Sequence, residues 1–536
     1  MLKNTFLGEK KMMRRNTLTI TSIIMTLSLL ALACGLSDAP PLSGAEGAQN
    51  YDGLVEAEEP AAEFAAAPPS PTLAAPNEEP YVDNFFENYG VNPFIDTEDD
   101  HLSTFAIDVD TGSYTIARRY VSDGNLPDKD SVRVEEFVNY FDQGYKLPPE
   151  GQAFAIHIDG GPTPFTETEK YQVVRIGIQG YAVSPEDRQD VSLTFVIDVS
   201  GSMDMENRLG LVKDALELLV DQLRPTDQVA IVVYGTDARA VLEPTSGAEK
   251  QVIMDAIYAL EPEGSTNAEA GLQLGYSLAL NAFNPEGINR VILCSDGVAN
   301  VGSTGAGSIW ETIKARASEG ITLTTVGFGM GNYNDVLMEQ LADNGDGFYA
   351  YVDTLQEAER LFVQNLVSTL QVIAMDAKIQ VDFNPEVVSR YRLVGFENRA
   401  IADEEFRDDS VDAGEIGAGH SVTALYEVKF FDQAQGKIAT VYMRWEDPHS
   451  HEVVEINQDI FTEDLAASFH ESNPYFQWAV VVAEYAEILR ESYWAQESTL
   501  GAVLEEAQRL TAYFLDDLDR SEFVSLVSQA SQIQAP

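Results

Sequence analysis

VSLTFVIDVSGSMD, residues 191–204, is apolar with few breaks up to Ile197 and then turns abruptly into Asp, Ser and Gly. A short, nearly continuous apolar run closed by a turn is what a strand buried on both faces of a parallel sheet requires, because helices cover both sides of such a sheet. The next segment is helical: Leu209, Val212, Ala215, Leu216, Leu219 and Leu223 recur at three-to-four spacing, and Pro225 stops the run. The alternation then continues. DQVAIVVYG (227–235), ARAVLEPTS (238–246), INRVILC (288–294), GITLTTVGFG (320–329) and GFYAYV (347–352) are predicted strands. Helices are predicted over GAEKQVIMDAIYAL, after Asn267, near 308–319, near 333–343 and over 354–370. Strands alternating with helices imply right-handed crossovers and a doubly wound, mostly parallel α/β sheet, whose ligands sit at the C-terminal ends of the strands.

Working outward, FAIHIDGG (154–161) and KYQVVRIGIQGY (170–181) precede this unit, while AKIQVDF (377–383), HSVTALYEVKFF (420–431), KIATVYMRW (437–445) and HEVVEINQDI (451–460) follow it. Several alternate with period two, the pattern of half-buried antiparallel strands. Residues 150–188 and 371–461 are therefore predicted to pair into one β-sandwich-like domain into which the parallel sheet is inserted. Residues 462–536 are left as helices carrying Trp478, Val481, Val482, Tyr485 and Leu489, an aromatic face that suits a core better than a groove.

The chain has 536 residues, room for several domains, with 45% hydrophobic and 22% charged residues, so most of it should fold. Its 33 Lys and Arg against 87 Asp and Glu leave a formal charge of −54, which repels phosphate backbones and argues against nucleic acid as a partner. Two cysteines, Cys34 and Cys294, exclude a disulfide framework and a Cys-based zinc site. Lys3, Lys10, Lys11, Arg14 and Arg15 head an uncharged, mostly apolar run from Asn16 to Ala33, which has the form of a secretory signal. LALACG (30–35) resembles a bacterial lipobox, which implies lipidation of Cys34 and its exposure as the mature N-terminus; Ala31 stands where Leu is commonest. From Gly35 to about Pro80 the Ala, Pro, Glu, Gly and Ser composition is that of an extended tether.

Three predicted strand-end or loop segments carry oxygen ligands: Asp198-Val199-Ser200-Gly201-Ser202, Gly264-Ser265-Thr266-Asn267 and Ser295-Asp296-Gly297. Two carboxylates and three hydroxyls at one edge suit a hard, octahedral cation such as Mg²⁺. The constellation resembles the metal-ion-dependent adhesion site of von Willebrand factor type A (VWA) domains, an Asp-x-Ser-x-Ser motif completed by a distant Thr and a distant Asp. Asp198, Ser200, Ser202, Thr266 and Asp296 match all five positions. The resemblance implies Mg²⁺, or Mn²⁺ or Ca²⁺, with an open position that accepts a carboxylate from a protein partner.

The likeness extends further. STFAIDVDTGSY, RRY and VRVEEFVNYF within 92–145, FNPEVVSRYRLVGFENR (383–399) and VDAGEIGAGHSVTALYEV (411–428) resemble the bacterial YfbK-like lipoproteins. That resemblance implies a signal peptide (1–33), a lipidated tether (34–80), an N-terminal family-specific region (81–190), the VWA domain (191–370) and a C-terminal family-specific domain (371–536), strands to about residue 461 and then helices. It also implies an envelope location, lipid-anchored on the extracytoplasmic side of a membrane. With so acidic a chain, the partner's carboxylate should be set among basic residues.

Other segments carry weaker signals. Asp108-Val109-Asp110-Thr111-Gly112-Ser113 echoes the motif at 198–202 but has no identifiable partner ligands, and is expected to be a turn. Asp447-Pro448-His449-Ser450-His451-Glu452 is expected to be a polar turn, Gly327 to Gly331 a tight strand-to-helix turn without the Lys of a phosphate loop, and Cys294 an inert buried thiol. No histidine falls between His157 and His420, so a Ser-His-Asp triad inside the VWA domain is excluded. The chain is therefore expected not to be an enzyme. The alternatives are a structural envelope component with an incidental metal and a Mg²⁺-dependent hydrolase using a carboxylate base.

Overall fold

The computed structural model describes residues 84–534 except 108–109, 167–170, 206–207, 298–305, 332 and 412. Cys34, the apolar N-terminal run and the expected tether lie outside the described residues. No helix among the described residues is long and apolar enough to cross a membrane.

At the centre is a six-stranded sheet in the order Tyr349–Val352, Ile321–Phe328, Ile288–Ser295, Val191–Asp198, Gln228–Tyr234, Ala238–Ser246. All neighbours are parallel except the last pair. Every residue of Val191–Asp198 is buried. Phe195 and Ile197 join one core with Val212, Leu216 and Leu219, while Val196 joins the opposite core with Leu272 and Tyr276, the two-faced burial that the unbroken apolar run implies. Because the strands are parallel, Asp198, Ser295 and Phe328 end on one edge, and the loops that could hold a ligand gather there.

Two antiparallel sheets form the flanking sandwich. In the first, Tyr171–Gly180 lies between Phe154–Pro162 and Ser421–Phe430, so strands from either side of the central sheet in sequence pair with each other. In the second, Val372–Phe383 pairs with Lys437–Glu446 on one side and with both Gly414–Gly417 and Leu102–Ala106 on the other. Ile176, Ile178, Ile379, Val381, Met443 and Trp445 fill the space between the two sheets.

The helices Pro474–Leu489, Leu500–Leu510 and Leu518–Gln534 bury Trp478, Val481, Val482 and Tyr485, as the aromatic pattern implied. They do so against Gly112–Ser122 and Val134–Asn139 from the N-terminal part, with Phe141 and Phe523 rings 5.6 and 5.3 Å from Trp478. The segment before residue 190 is thus shared out: one strand completes the second sheet, two helices complete the helical body, and three strands, the two-residue Ile95–Asp96 among them, enter the first sheet. The helix predicted over 354–370 is broken into Leu355–Glu359, a wide turn at Arg360–Gln364 and Leu366–Leu370. Arg360 explains the break: its guanidinium lies 3.7 Å from the Tyr140 ring, bonds the Tyr140 carbonyl and reaches Asp519 at 3.1 Å.

Glu135, 2% exposed, lies inside this body. Burial, and then the charges of Glu397 and Glu136, push its carboxyl from 4.5 up to about 8. An acid raised in this way keeps its proton in the folded chain at pH values where the unfolded chain has released it, so stability falls as pH rises from about 4.5 towards 8. Glu135→Gln is expected to be more stable than wild type at pH 8 by on the order of 2 kcal/mol, with the difference shrinking near pH 5. Urea unfolding at both pH values checks this, and parallel pH dependences of the two proteins would contradict it.

Candidate metal centre

The strand Val191–Asp198 delivers Asp198 to the edge of the sheet, completely buried, and the chain then turns through Ser200 and a short 3₁₀ turn at Gly201–Asp204. Asp198 organises that turn: its Oδ1 accepts the Ser200 N–H at 2.8 Å, and its Oδ2 accepts the Ser295 hydroxyl at 3.2 Å from the neighbouring strand end. The Ser200 and Ser202 hydroxyls lie 3.0 Å apart. Asp296, 1% exposed, follows Ser295 directly. Thr266 comes from the third segment, which is fixed to the first by two backbone bonds, Gly201 N–H to the Gly264 carbonyl (3.2 Å) and Glu263 N–H to the Val199 carbonyl (2.5 Å). Two residues beyond Gly264, Thr266 stands half-buried just before the helix Ala268–Asn281, which Asn267 caps. Asp198, Ser200, Ser202 and Asp296 therefore belong to one bonded cluster, and Thr266 stands on a loop clamped to it.

One residue of this cluster carries no sequence signal. Arg208, 4% exposed, donates to Asp296 Oδ2, to the Ser202 carbonyl at 3.0 Å and to the Met330 carbonyl at 2.5 Å. A single Arg ahead of a helix belongs to no motif, and its role depends on a loop more than a hundred residues away.

The residues present fit a divalent cation. Burial is the main reason that the Asp198 carboxyl is pushed up to about 6, and the Asp296 charge adds to it. A bound cation would hold that carboxyl ionised. The hydroxyls are available: Ser200 and Ser202 share one bond, and Thr266 Oγ1 makes none among the described residues. A shell with two carboxylates and several neutral oxygens suits Mg²⁺ in particular, since that ion usually keeps waters and takes few charged protein ligands.

The weaker candidates resolve into structure. Asp110 Oδ1 accepts the Tyr349 N–H at 3.1 Å and Gly112 begins a helix, while Asp108 and Val109 lie outside the described residues. Asp447 Oδ1 accepts the His449 and Ser450 N–H groups at 3.0 and 2.8 Å, making a polar turn. Gly329 and Gly331 take positive φ (80° and 112°) in the turn after Ile321–Phe328. Burial pushes the Cys294 thiol up to about 12, which leaves it unreactive.

Three family models match the chain: von Willebrand factor type A domain over residues 192–367, von Willebrand factor over 80–175, and the C-terminal domain of the uncharacterized protein YfbK over 368–533. The uncharacterized protein YfbK of Escherichia coli (strain K12) is 34% identical over 474 residues, 84% of this chain and 81% of that protein. The uncharacterized protein sll0103 of Synechocystis is 27% identical over 213 residues, 40% of this chain and half of that protein's length. Among solved structures, a von Willebrand factor type A protein from Catenulispora acidiphila is similar with a TM-score of 0.42 at 15% identity, covering 70% of this chain and 89% of the other. With identity to YfbK running through most of both sequences, a type A domain at its centre and the YfbK C-terminal domain after it, the chain belongs to the YfbK family of VWA-domain proteins.

Proposed function

We propose that this protein is a cell-envelope lipoprotein that binds a protein partner through a divalent cation held by Asp198, Ser200, Ser202, Thr266 and Asp296. The observation that carries the reading is the cluster itself: two buried carboxylates and hydroxyls at the C-terminal edge of a parallel sheet, with Ser202 and Thr266 half-buried and so within reach of an incoming ligand. VWA domains generally mediate protein interactions. The metal, Mg²⁺ or else Mn²⁺ or Ca²⁺, would leave a position for the partner's carboxylate. Asp204, Asp237, Glu261 and Glu263 are exposed on the loops beside the site, so the carboxylate should come flanked by Lys or Arg. Residues 1–33 are read as a signal, Cys34 as the lipidated residue and 34–80 as a tether. Residues 191–370 are read as the binding domain, with 81–190 and 371–536 as its support.

The immobilised chain is expected to retain an envelope protein in Mg²⁺, to release it in EDTA, and to lose it on Asp198→Ala, with no turnover of phosphoesters. Turnover that requires added Mg²⁺ would instead establish the hydrolase, and retention indifferent to EDTA and to Asp198→Ala would establish a structural component.

A further inference from the structure

Gly329, Met330, Gly331 and Tyr333 lie between the candidate metal centre and the first described residues of the chain. On one side Arg208 joins them to the centre, donating to the Met330 carbonyl while also bonding Asp296 and the Ser202 carbonyl. The contact is close: a Cβ on Gly329 would sit 2.6 Å from the Arg208 side chain. A second link runs through Tyr333, whose ring would lie 2.5 Å from a Cβ on Gly297, the residue after Asp296. On the other side Gly331 and Tyr333 are held by Asn84 and Phe85. Asn84 Oδ1 accepts the N–H groups of Gly331 (3.2 Å) and Tyr333 (2.9 Å), and the Phe85 N–H donates to the Tyr333 carbonyl at 2.8 Å. Asn84 Nδ2 in turn donates to the buried Tyr120 hydroxyl at 2.9 Å, tying the strap to the helix Gly112–Ser122.

We infer that Asn84 and Phe85 form a strap that sets the affinity of the metal centre, acting through Gly331, Tyr333 and Met330 and through Arg208 on Asp296 and Ser202. Asn84 is a positioning residue here, since it reaches the centre only through these residues. Loosening the bonds from Asn84 to Gly331 and Tyr333 frees the support of Arg208. The inference rests on the reading of Asp198, Ser200, Ser202, Thr266 and Asp296 as a metal site.

The test is a calorimetric titration of Mg²⁺ into the full chain and its variants, with the thermal midpoint of each measured alongside. Asn84→Ala is expected to weaken Mg²⁺ binding by about three- to tenfold, and Asn84→Asp, which keeps the oxygen that accepts both N–H groups, to restore it. Asn84→Gln, whose longer side chain misplaces that oxygen, serves as a second disruptive variant if alanine prevents folding. Arg208→Lys replaces the fork that bonds Asp296 through Nη1 and Met330 through Nη2 with a single ammonium, and is expected to weaken Mg²⁺ as well. If the strap acts mainly through Arg208, adding Asn84→Ala to Arg208→Lys weakens binding by much less than Asn84→Ala does in the wild type. Wild-type affinity in Asn84→Ala and Asn84→Gln, a shift in thermal midpoint alone, or full additivity in the double variant would each overturn the strap while leaving the metal site standing. A wild-type chain that takes up no Mg²⁺ would overturn the metal site itself, and the strap with it.

Discussion

Alanine at Asp198 is expected to weaken Mg²⁺ binding by about 100-fold or more while leaving the thermal transition of the metal-free chain nearly unmoved. The first half follows from position. Asp198 orients the turn through the Ser200 N–H and the neighbouring strand end through the Ser295 hydroxyl, so its loss removes an anionic ligand and the bond that aims Ser200. The second half follows from burial. Without a cation, an interior carboxyl pushed up to about 6 contributes little net stability, and removing it roughly offsets the two hydrogen bonds lost. Thr266→Ala should cost less, about tenfold in affinity, because it removes one neutral oxygen that bonds nothing else among the described residues. Titration calorimetry with Mg²⁺, paired with thermal unfolding in EDTA, separates the two effects. Wholesale unfolding of both variants would show that the cluster supports the fold, and undiminished Mg²⁺ uptake by Asp198→Ala would sink the site.

What could be seen in the sequence divides along a physical line. The central strands were legible because a strand buried on both faces has little room for polar residues. The runs at 191–200, 288–294 and 320–329 therefore mark Val191–Asp198, Ile288–Ser295 and Ile321–Phe328 to within a residue or two. The oxygen-bearing segments were legible because parallel strands all end on one edge, and the structure does bond the Asp198 turn to the Gly264 loop and to Ser295. Arg208 and Asn84 were not, because each is defined by partners far away in sequence: Arg208 by Asp296 and Met330, Asn84 by Gly331 and Tyr333. The broken helix at 354–370 has the same origin. Its local pattern is helical, but Arg360 is drawn towards Tyr140 and Asp519, and such tertiary demands override a local preference.

Arg118 shows how much of the assembly depends on contacts of this kind, and Arg118→Ala is expected to lower global stability by about 3–5 kcal/mol. The residue lies on Gly112–Ser122 and is 3% exposed. Its Nε and Nη2 hold both oxygens of Asp353 at 2.8 and 2.5 Å, Nη2 also reaches Glu357 at 2.9 Å, and Nη1 donates to the Tyr140 hydroxyl at 2.8 Å and to Glu522 at 3.1 Å. One guanidinium thus joins the end of the Tyr349–Val352 strand, the helix after it, the N-terminal helices and the C-terminal helix Leu518–Gln534. Truncation strands Asp353, 4% exposed, without the cation that lets it be buried, and leaves Glu357 with only the Tyr140 hydroxyl and the charge of Arg360, a penalty that exceeds anything a surface ion pair could cost. The diagnostic variant is therefore the double one. If stranded charge is the cause, Asp353→Asn should recover part of the loss in the Arg118→Ala background although it destabilises the wild type. If lost packing is the cause, the two substitutions should simply add. Denaturant unfolding of the four proteins decides between them. Asp353 follows a parallel strand at its C-terminal end, the same edge that carries Asp198 and Asp296, so the clamp ties the flanking helices to that edge of the sheet.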